Sequence, residues 1–190
     1  VAFDDFKQKE SVIIVYTGEG KGKTSASLGL MARALGNRWN LAYIQFIKYW
    51  GVSEHVFIRD IQDIYKDKLY FYKGGKGFYK AGHLSSKQVS DKEHKDAALS
   101  TYKEALRAVT SNKYQLVICD EINNAVNDGL LSVKQLKDLI VKSKNNKVNL
   151  CLTGRDFPES LISLTDISTN MNKIKHHFDE KFLANKGIDY

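Results

Sequence analysis

The sequence predicts an α/β domain: a mostly parallel sheet with helices on both faces. Three observations predict it. Short apolar, β-branched runs alternate with segments of helical periodicity; a glycine-rich turn closes the first run and opens the first helical segment; polar or charged residues gather just after several of the runs.

The elements follow in order. "SVIIVY" (11–16) is short, β-branched and ended by glycine, the signature of a buried strand. From Lys23 to about Leu35, Ala26, Leu30 and Ala34 with Leu28, Met31 and Leu35 recur at helical spacing, and Gly36 supplies a stop. "NLAYIQFIK" (40–48) reads as a second strand. A short helix near 53–65 and the strand "KLYFYK" (68–73) precede the glycine-rich "GGKGFYKAGH" (74–83), which reads as a loop. An amphipathic helix runs from about Ser90 to Ser111. "YQLVICDE" (114–121) is a strand ending in two carboxylates, and a helix over 132–143 takes Ser132 as N-cap. "KVNLCLTG" (147–154) is the next strand, "PESLISL" (158–164) a helix with Pro158 at its first position, and "DISTNM" (166–171) a last strand before a polar tail. In a parallel sheet ligands collect at the carboxyl ends of strands. The glycine turn, Gln45 to Lys48, Asp120-Glu121 and Gly154-Arg155 all fall there.

Bulk properties narrow the class. A chain of 190 residues supports one core, so 1–190 reads as a single domain with 1–10 as a short N-terminal arm. No apolar run approaches the ~20 residues that span a bilayer. "VAFDDFKQKE" is too acidic for a signal peptide, so a cytoplasmic protein without membrane contact is expected. Cys119 and Cys151 fall in predicted strands and read as small hydrophobes in a reducing compartment. The net charge of +7 admits phosphate-rich partners, but the lysines are scattered among acids, which favours a solvated surface over a nucleic-acid-binding face. The five histidines lie at no metal-ligand spacing with cysteine or carboxylate.

The chemistry concentrates in "YTGEGKGKTSASLGLMARALG" (16–36). Gly18, Gly20 and Gly22 let backbone N–H groups turn inward, and the helix that follows adds its positive end, which together form an anion nest. The P-loop pattern puts Lys23 on the outer phosphates and the Thr24 hydroxyl on Mg²⁺, with Lys21 as a further cation. The pattern's usual first glycine falls on Thr17, with glycine one place later at Gly18. Arg33, three turns into the helix, either points back or faces solvent. Asp120-Glu121 has the form of a Walker B carboxylate pair, suited to a hard cation that keeps most of its waters. Phe78 and Tyr79, beside three glycines, are either a lid over a flat ligand or ordinary packing. These residues describe a P-loop, RecA-like domain that binds Mg-ATP. Their spacing leaves open a small-molecule kinase, a nucleic-acid-dependent ATPase or another use of ATP.

The chain closely resembles the P-loop ATP:corrinoid adenosyltransferases of the cobalamin pathway. The 16–36 segment is similar to that family's loop and following helix, including Arg33, and Thr17 is normal there. "IQFIK" (44–48), "LVICDEI" (116–122), "LTGRDFPESLISLTDISTNM" (152–171), "KHHF" (175–178) and "KGIDY" (186–190) match in the same order. The resemblance implies transfer of the 5′-deoxyadenosyl group of ATP to the cobalt(I) of a reduced corrinoid, with release of triphosphate. It implies that Thr17, Gly18, Glu19, Gly20, Lys21, Gly22, Lys23, Thr24, Ser25, Arg33 and Arg155 bind ATP in the reverse sense to common P-loop enzymes. It further implies that Lys23, Thr24 and Glu121 are catalytic, that Thr24, Glu121 and Asp120 attend Mg²⁺, and that Phe78 and Tyr79 face the corrinoid. A homodimer and a reduced flavoprotein electron donor are implied as well. The chain departs from the family pattern at Lys80, where the family carries tryptophan, at Asn170, where an acid is usual, and at His177, where proline is common.

Overall fold

A computed structural model describes residues 5–77, 79 and 89–190. Phe78 and Lys80 lie outside the described residues, as does most of the predicted 74–83 loop beyond Gly77. Among the described residues six strands form one sheet: β1 (Ile13–Thr17), β2 (Leu41–Gln45), β3 (Leu69–Lys73), β4 (Leu116–Asp120), β5 (Asn149–Thr153) and β6 (Ile167–Asn170). Their order is β3-β2-β4-β5-β1-β6, and every adjacent pair is parallel. Parallel neighbours need crossovers. These carry α1 (Lys23–Gly36), α2 (Ser53–Gln62), α3 (Asp91–Thr110), α4 (Ile122–Asn127) and α5 (Val133–Asn145). Because β5 stands between β1, which leads into the glycine turn, and β4, which ends in the acids, the fold is the expected P-loop, RecA-like α/β domain.

Both faces of the central strands β1, β2, β4 and β5 are covered, which explains why these are largely apolar rather than alternating, whereas β6 at one edge is exposed. Ile13, Val15, Val117, Cys119, Leu150 and Leu152 pack with residues of α3, α4 and α5, among them Tyr102, Ala105, Leu136 and Leu139. The intervening Ile14, Leu41, Tyr43, Ile118 and Cys151 pack with Met31 and Leu35 of α1 and Ile58 of α2. Each large aliphatic buried in this way stabilises the fold by about 1.5–3 kcal/mol. Cys119 and Cys151 fall on opposite faces, free and buried, and burial pushes both thiols well above their ordinary pKa. They behave as core residues.

Ser132 caps its helix as the sequence predicts, whereas α1 runs through Gly36 and ends on Asn37. Ser90 and Ser132 each accept a hydrogen bond from the backbone three residues on, and Glu93 and Gln135 return it, so both helices start with a capping box. Three further expectations need correction. β2 stops at Gln45 rather than 48, because the chain leaves the ladder there: Phe46 N–H donates to Asp120 O, and Ile47 O accepts from Gly77 N–H. Pro158 precedes a 3₁₀ turn, Glu159–Leu164, as its extended N-cap instead of opening an α-helix. α4, absent from the sequence reading, begins directly after the acids, and its six residues are too few for a periodic signal. No described helix is long and apolar enough to cross a membrane.

Candidate active site

β1 delivers the glycine turn to the carboxyl edge of the sheet, and the end of β6 clamps it. Gly20 N–H donates to Met171 O at 2.6 Å and Met171 N–H to Thr17 O at 2.8 Å. The approach excludes side chains: a Cβ on Gly18 would lie 2.0 Å from Asn170 Oδ1, and one on Gly20 would lie 2.6 Å from Met171 O. Gly18 and Gly22 also have φ of +96° and +109°, a region that glycine alone enters without strain. Gly22 caps α1 with no side-chain partner, so the positive end of that helix faces the turn. Lys23 folds back over the turn and donates to Gly18 O at 2.6 Å and Gly20 O at 2.8 Å. Burial, then the nearby Arg155 guanidinium, holds its pKa below the usual lysine value.

Asp120 is the hub of the second half of the site. Fully buried at the end of β4, its Oδ1 accepts from Thr153 Oγ1 at 2.7 Å and from Thr24 Oγ1 at 3.1 Å, and its Oδ2 from Gln45 Nε2 at 3.0 Å. Gln45 in turn meets His55 Nε2 at 2.5 Å, while His55 Nδ1 faces Val52 N–H at 3.5 Å. Only the neutral ring with its proton on Nε2 satisfies both contacts. Burial, then Lys73, lowers the His55 pKa and keeps it in that form. Four elements therefore fix one carboxylate beside the Thr24 hydroxyl.

Glu121 follows in a left-handed conformation, φ +62°, with its N–H donating to Thr153 Oγ1 at 2.9 Å. Such a backbone costs a non-glycine residue about 1–3 kcal/mol and is common where geometry serves chemistry. Its Oε2 is buried without a hydrogen-bond partner, and burial, followed by the Asp120 charge, raises its pKa to about 8. Lys48, just beyond β2, reaches in from the other side. Its Nζ lies 2.5 Å from Glu54 Oε1, 3.4 Å from Thr24 Oγ1 and 3.8 Å from Asp120 Oδ2. Burial works against its charge, but Asp120, Glu121 and Glu54 together raise its pKa and keep it an ammonium. An orphaned carboxylate oxygen and a resident cation beside a threonine hydroxyl fit a divalent cation at Thr24, Asp120 and Glu121.

A cavity of about 320 Å³ opens beside the turn, lined by Glu19, Lys21, Lys23, Arg155, His176 and Phe178 among others. Arg155 Nε pairs with Glu19 Oε2 at 3.2 Å across its mouth, both exposed. The C-terminal segment closes one side. Asp189 Oδ1 binds Lys21 Nζ at 2.5 Å, and Tyr190 O accepts from Ser53 Oγ at 2.8 Å at the start of α2.

The expected site residues are thus mostly brought together. Thr17, whose Oγ1 accepts from Phe157 N–H at 3.1 Å, begins the turn. Glu19, Lys21, Lys23 and Arg155 line one cavity, and Thr24, Asp120 and Glu121 adjoin it. Ser25 is exposed on the first turn of α1. Arg33 is exposed in the last turn of α1, about 15 Å along the helix axis from Lys23 at 1.5 Å per residue, and is not brought to the turn. Tyr79 packs against His94, ring centroids 5.2 Å apart, on the α3 side of the core. Thr153, Glu54 and Asp189 also take part, as do Gln45 and Lys48. Gln45 and Lys48 carried one signal, a polar position at a strand end. The others touch the site through contacts 30 or more positions away or through a helix start.

The family model described as ATP:corrinoid adenosyltransferase BtuR/CobO/CobP matches residues 9–190. A corrinoid adenosyltransferase of Sinorhizobium sp. is 29% identical over 182 residues, covering 96% of this chain and 81% of that protein. The corrinoid adenosyltransferase CobA of Salmonella typhimurium is 26% identical over 186 residues, covering 97% and 88%. Among solved structures, the flagellar accessory protein FlaH of Methanocaldococcus jannaschii superposes with a TM-score of 0.55 at 14% identity, covering 85% of this chain and 71% of that one. At that identity the likeness concerns the fold. With the whole glycine turn, both acids and the C-terminal segment inside the matched region, the chain belongs to the ATP:corrinoid adenosyltransferase family.

Proposed function

We propose that the glycine turn holds the triphosphate of ATP as a leaving group while the cobalt(I) of a reduced corrinoid attacks C5′ of the ribose. The cobalt supplies the electron pair of the new cobalt–carbon bond, the C5′–O bond breaks, and triphosphate departs with its electrons; no proton needs to move. Accordingly the site needs no general base, and the histidine beside the Asp120 cradle, His55, is buried and neutral behind Gln45. What the reaction demands is fixed positive potential where negative charge accumulates. The α1 terminus, Lys21, Lys23 and Arg155 supply it around one cavity. On binding, phosphate oxygens replace Gly18 O and Gly20 O as partners of Lys23, and replace Asp189 as partner of Lys21. Thr24 and Glu121, with Asp120 alongside, would hold Mg²⁺, which would supply positive charge against that of the leaving group. Phe78 and Tyr79 take the corrinoid side, in a cytoplasmic homodimer served by a reduced flavoprotein.

The observation that carries this reading is the convergence of Lys23, Thr24, Asp120 and Glu121 at a turn that no side chain can enter. Protein mixed with Mg-ATP and chemically reduced cobalamin, cobinamide or cobyrinic acid diamide should release inorganic triphosphate and form a light-sensitive alkylcorrinoid. Release of ADP would refute it.

A further inference from the structure

We propose that Lys48 is the resident counter-ion of the cation position: its ammonium covers that position when no divalent ion is bound, and Glu54 draws it aside, toward the triphosphate, when one enters. The inference rests on the placement of the cation at Thr24, Asp120 and Glu121 given above.

Three acids, the fully buried Asp120 and the part-buried Glu54 and Glu121, surround this point, and Lys48 is in direct contact with two of them. The pairing is enclosed: the side chains of Lys48, Glu54 and Asp120 are 14%, 9% and 0% exposed. Buried carboxylates left without a cation are costly, so an ion-free site needs a built-in positive charge. Lys48 meets that need in a way that blocks the next occupant. Thr24 Oγ1 donates its proton to Asp120 and receives a Lys48 N–H at 3.4 Å on one of its two lone pairs. The other lone pair stays open, but an ammonium this close repels a divalent cation at the same oxygen, so cation entry displaces Lys48.

Glu54 gives the displaced ammonium somewhere to go. It already makes the shortest contact, 2.5 Å, against 3.4 and 3.8 Å to the other two groups. It lies in the first turn of α2, where the helix favours a negative side chain independently of Lys48. A lysine held there keeps its charge intact, and a bound triphosphate would offer it phosphate oxygens in place of Thr24.

The test reads binding, not turnover: Mn²⁺ affinity of the nucleotide-free protein by electron paramagnetic resonance, and inorganic triphosphate affinity in Mn²⁺ by calorimetry. Lys48→Met should tighten Mn²⁺ by about tenfold or more and weaken triphosphate by a similar factor. Glu54→Gln should weaken Mn²⁺ about tenfold, because Lys48 then has only Thr24 and Asp120 to hold. In the Lys48→Met background the same Glu54→Gln change should have little further effect. A folding defect would weaken Mn²⁺ binding in both single variants, whereas the proposal requires opposite signs. Unchanged or weaker Mn²⁺ binding in Lys48→Met overturns it, as does a Glu54→Gln effect that persists without Lys48. If these shifts appear and the adenosyl product does not, the reaction assignment fails and the counter-ion stands.

Discussion

Glu121→Gln isolates what it costs to keep an acid under the glycine turn. Burial and the neighbouring Asp120 raise the Glu121 pKa from 4.5 to about 8. A folded pKa above the unfolded one means that the folded chain binds this proton more tightly. The contribution is favourable below pH 4.5 and is lost progressively as pH climbs through 8. At about 1.36 kcal/mol per pH unit, the loss reaches roughly 3 kcal/mol at pH 7 and levels off near 5 kcal/mol above pH 8. Glutamine keeps the shape and carries no charge. The variant should therefore match the parent near pH 4.5 and exceed its unfolding free energy by about 3 kcal/mol at pH 7. Urea titrations in EDTA at pH 5, 6, 7 and 8 measure the difference. Saturating Mg²⁺ and triphosphate should erase the advantage, since they stabilise only the chain that can bind the cation. A difference that is independent of pH, or a less stable variant at pH 8, would refute the reasoning.

Gly18→Ala should lower stability by about 2 kcal/mol or more and abolish triphosphate binding, because its Cβ meets the Met171 backbone O at 2.6 Å on a backbone at φ +96°. Gly36→Ala, where a Cβ meets nothing within 4 Å, is the denaturation control and should be neutral or slightly stabilising. Lys23→Ala should reduce turnover at least about a hundredfold and weaken triphosphate binding in calorimetry, with the melting temperature little changed. Phe78→Ala should mainly impair reactions started from cobalt(II); equal losses from cobalt(I) and cobalt(II) would contradict its assignment to the corrinoid side.

The parts of this fold that were legible in the sequence are those written in local pattern. β1, the glycine turn and α1 could be read because β-branched residues, then glycines, then a 3.6-residue repeat occupy adjacent positions. Ser132 could be read as a cap because its partner Gln135 lies three residues on. The cradle of Asp120 could not, since Gln45, Thr24 and Thr153 come from different elements and meet it only through sheet register and the start of α1. The role of Lys48, as distinct from its place at the ligand edge, was hidden for a related reason. Lys48 lies in a stretch that reads as strand, and only the departure of the chain after Gln45 turns its side chain toward Glu54 and Thr24. Arg33 shows the converse limit, because helical periodicity fixes its distance from the turn but a motif suggested proximity.

The strand order has a consequence for how the protein is made. β1 emerges from the ribosome before its ladder neighbours β5 and β6 and before Met171, the anchor of Gly20. During translation the phosphate cradle must wait, unsupported, for about 150 further residues to be synthesised. Competence to grip a nucleotide therefore arrives only once β6 is made, and nascent chains halted before Met171 should pass unretained over immobilised ATP.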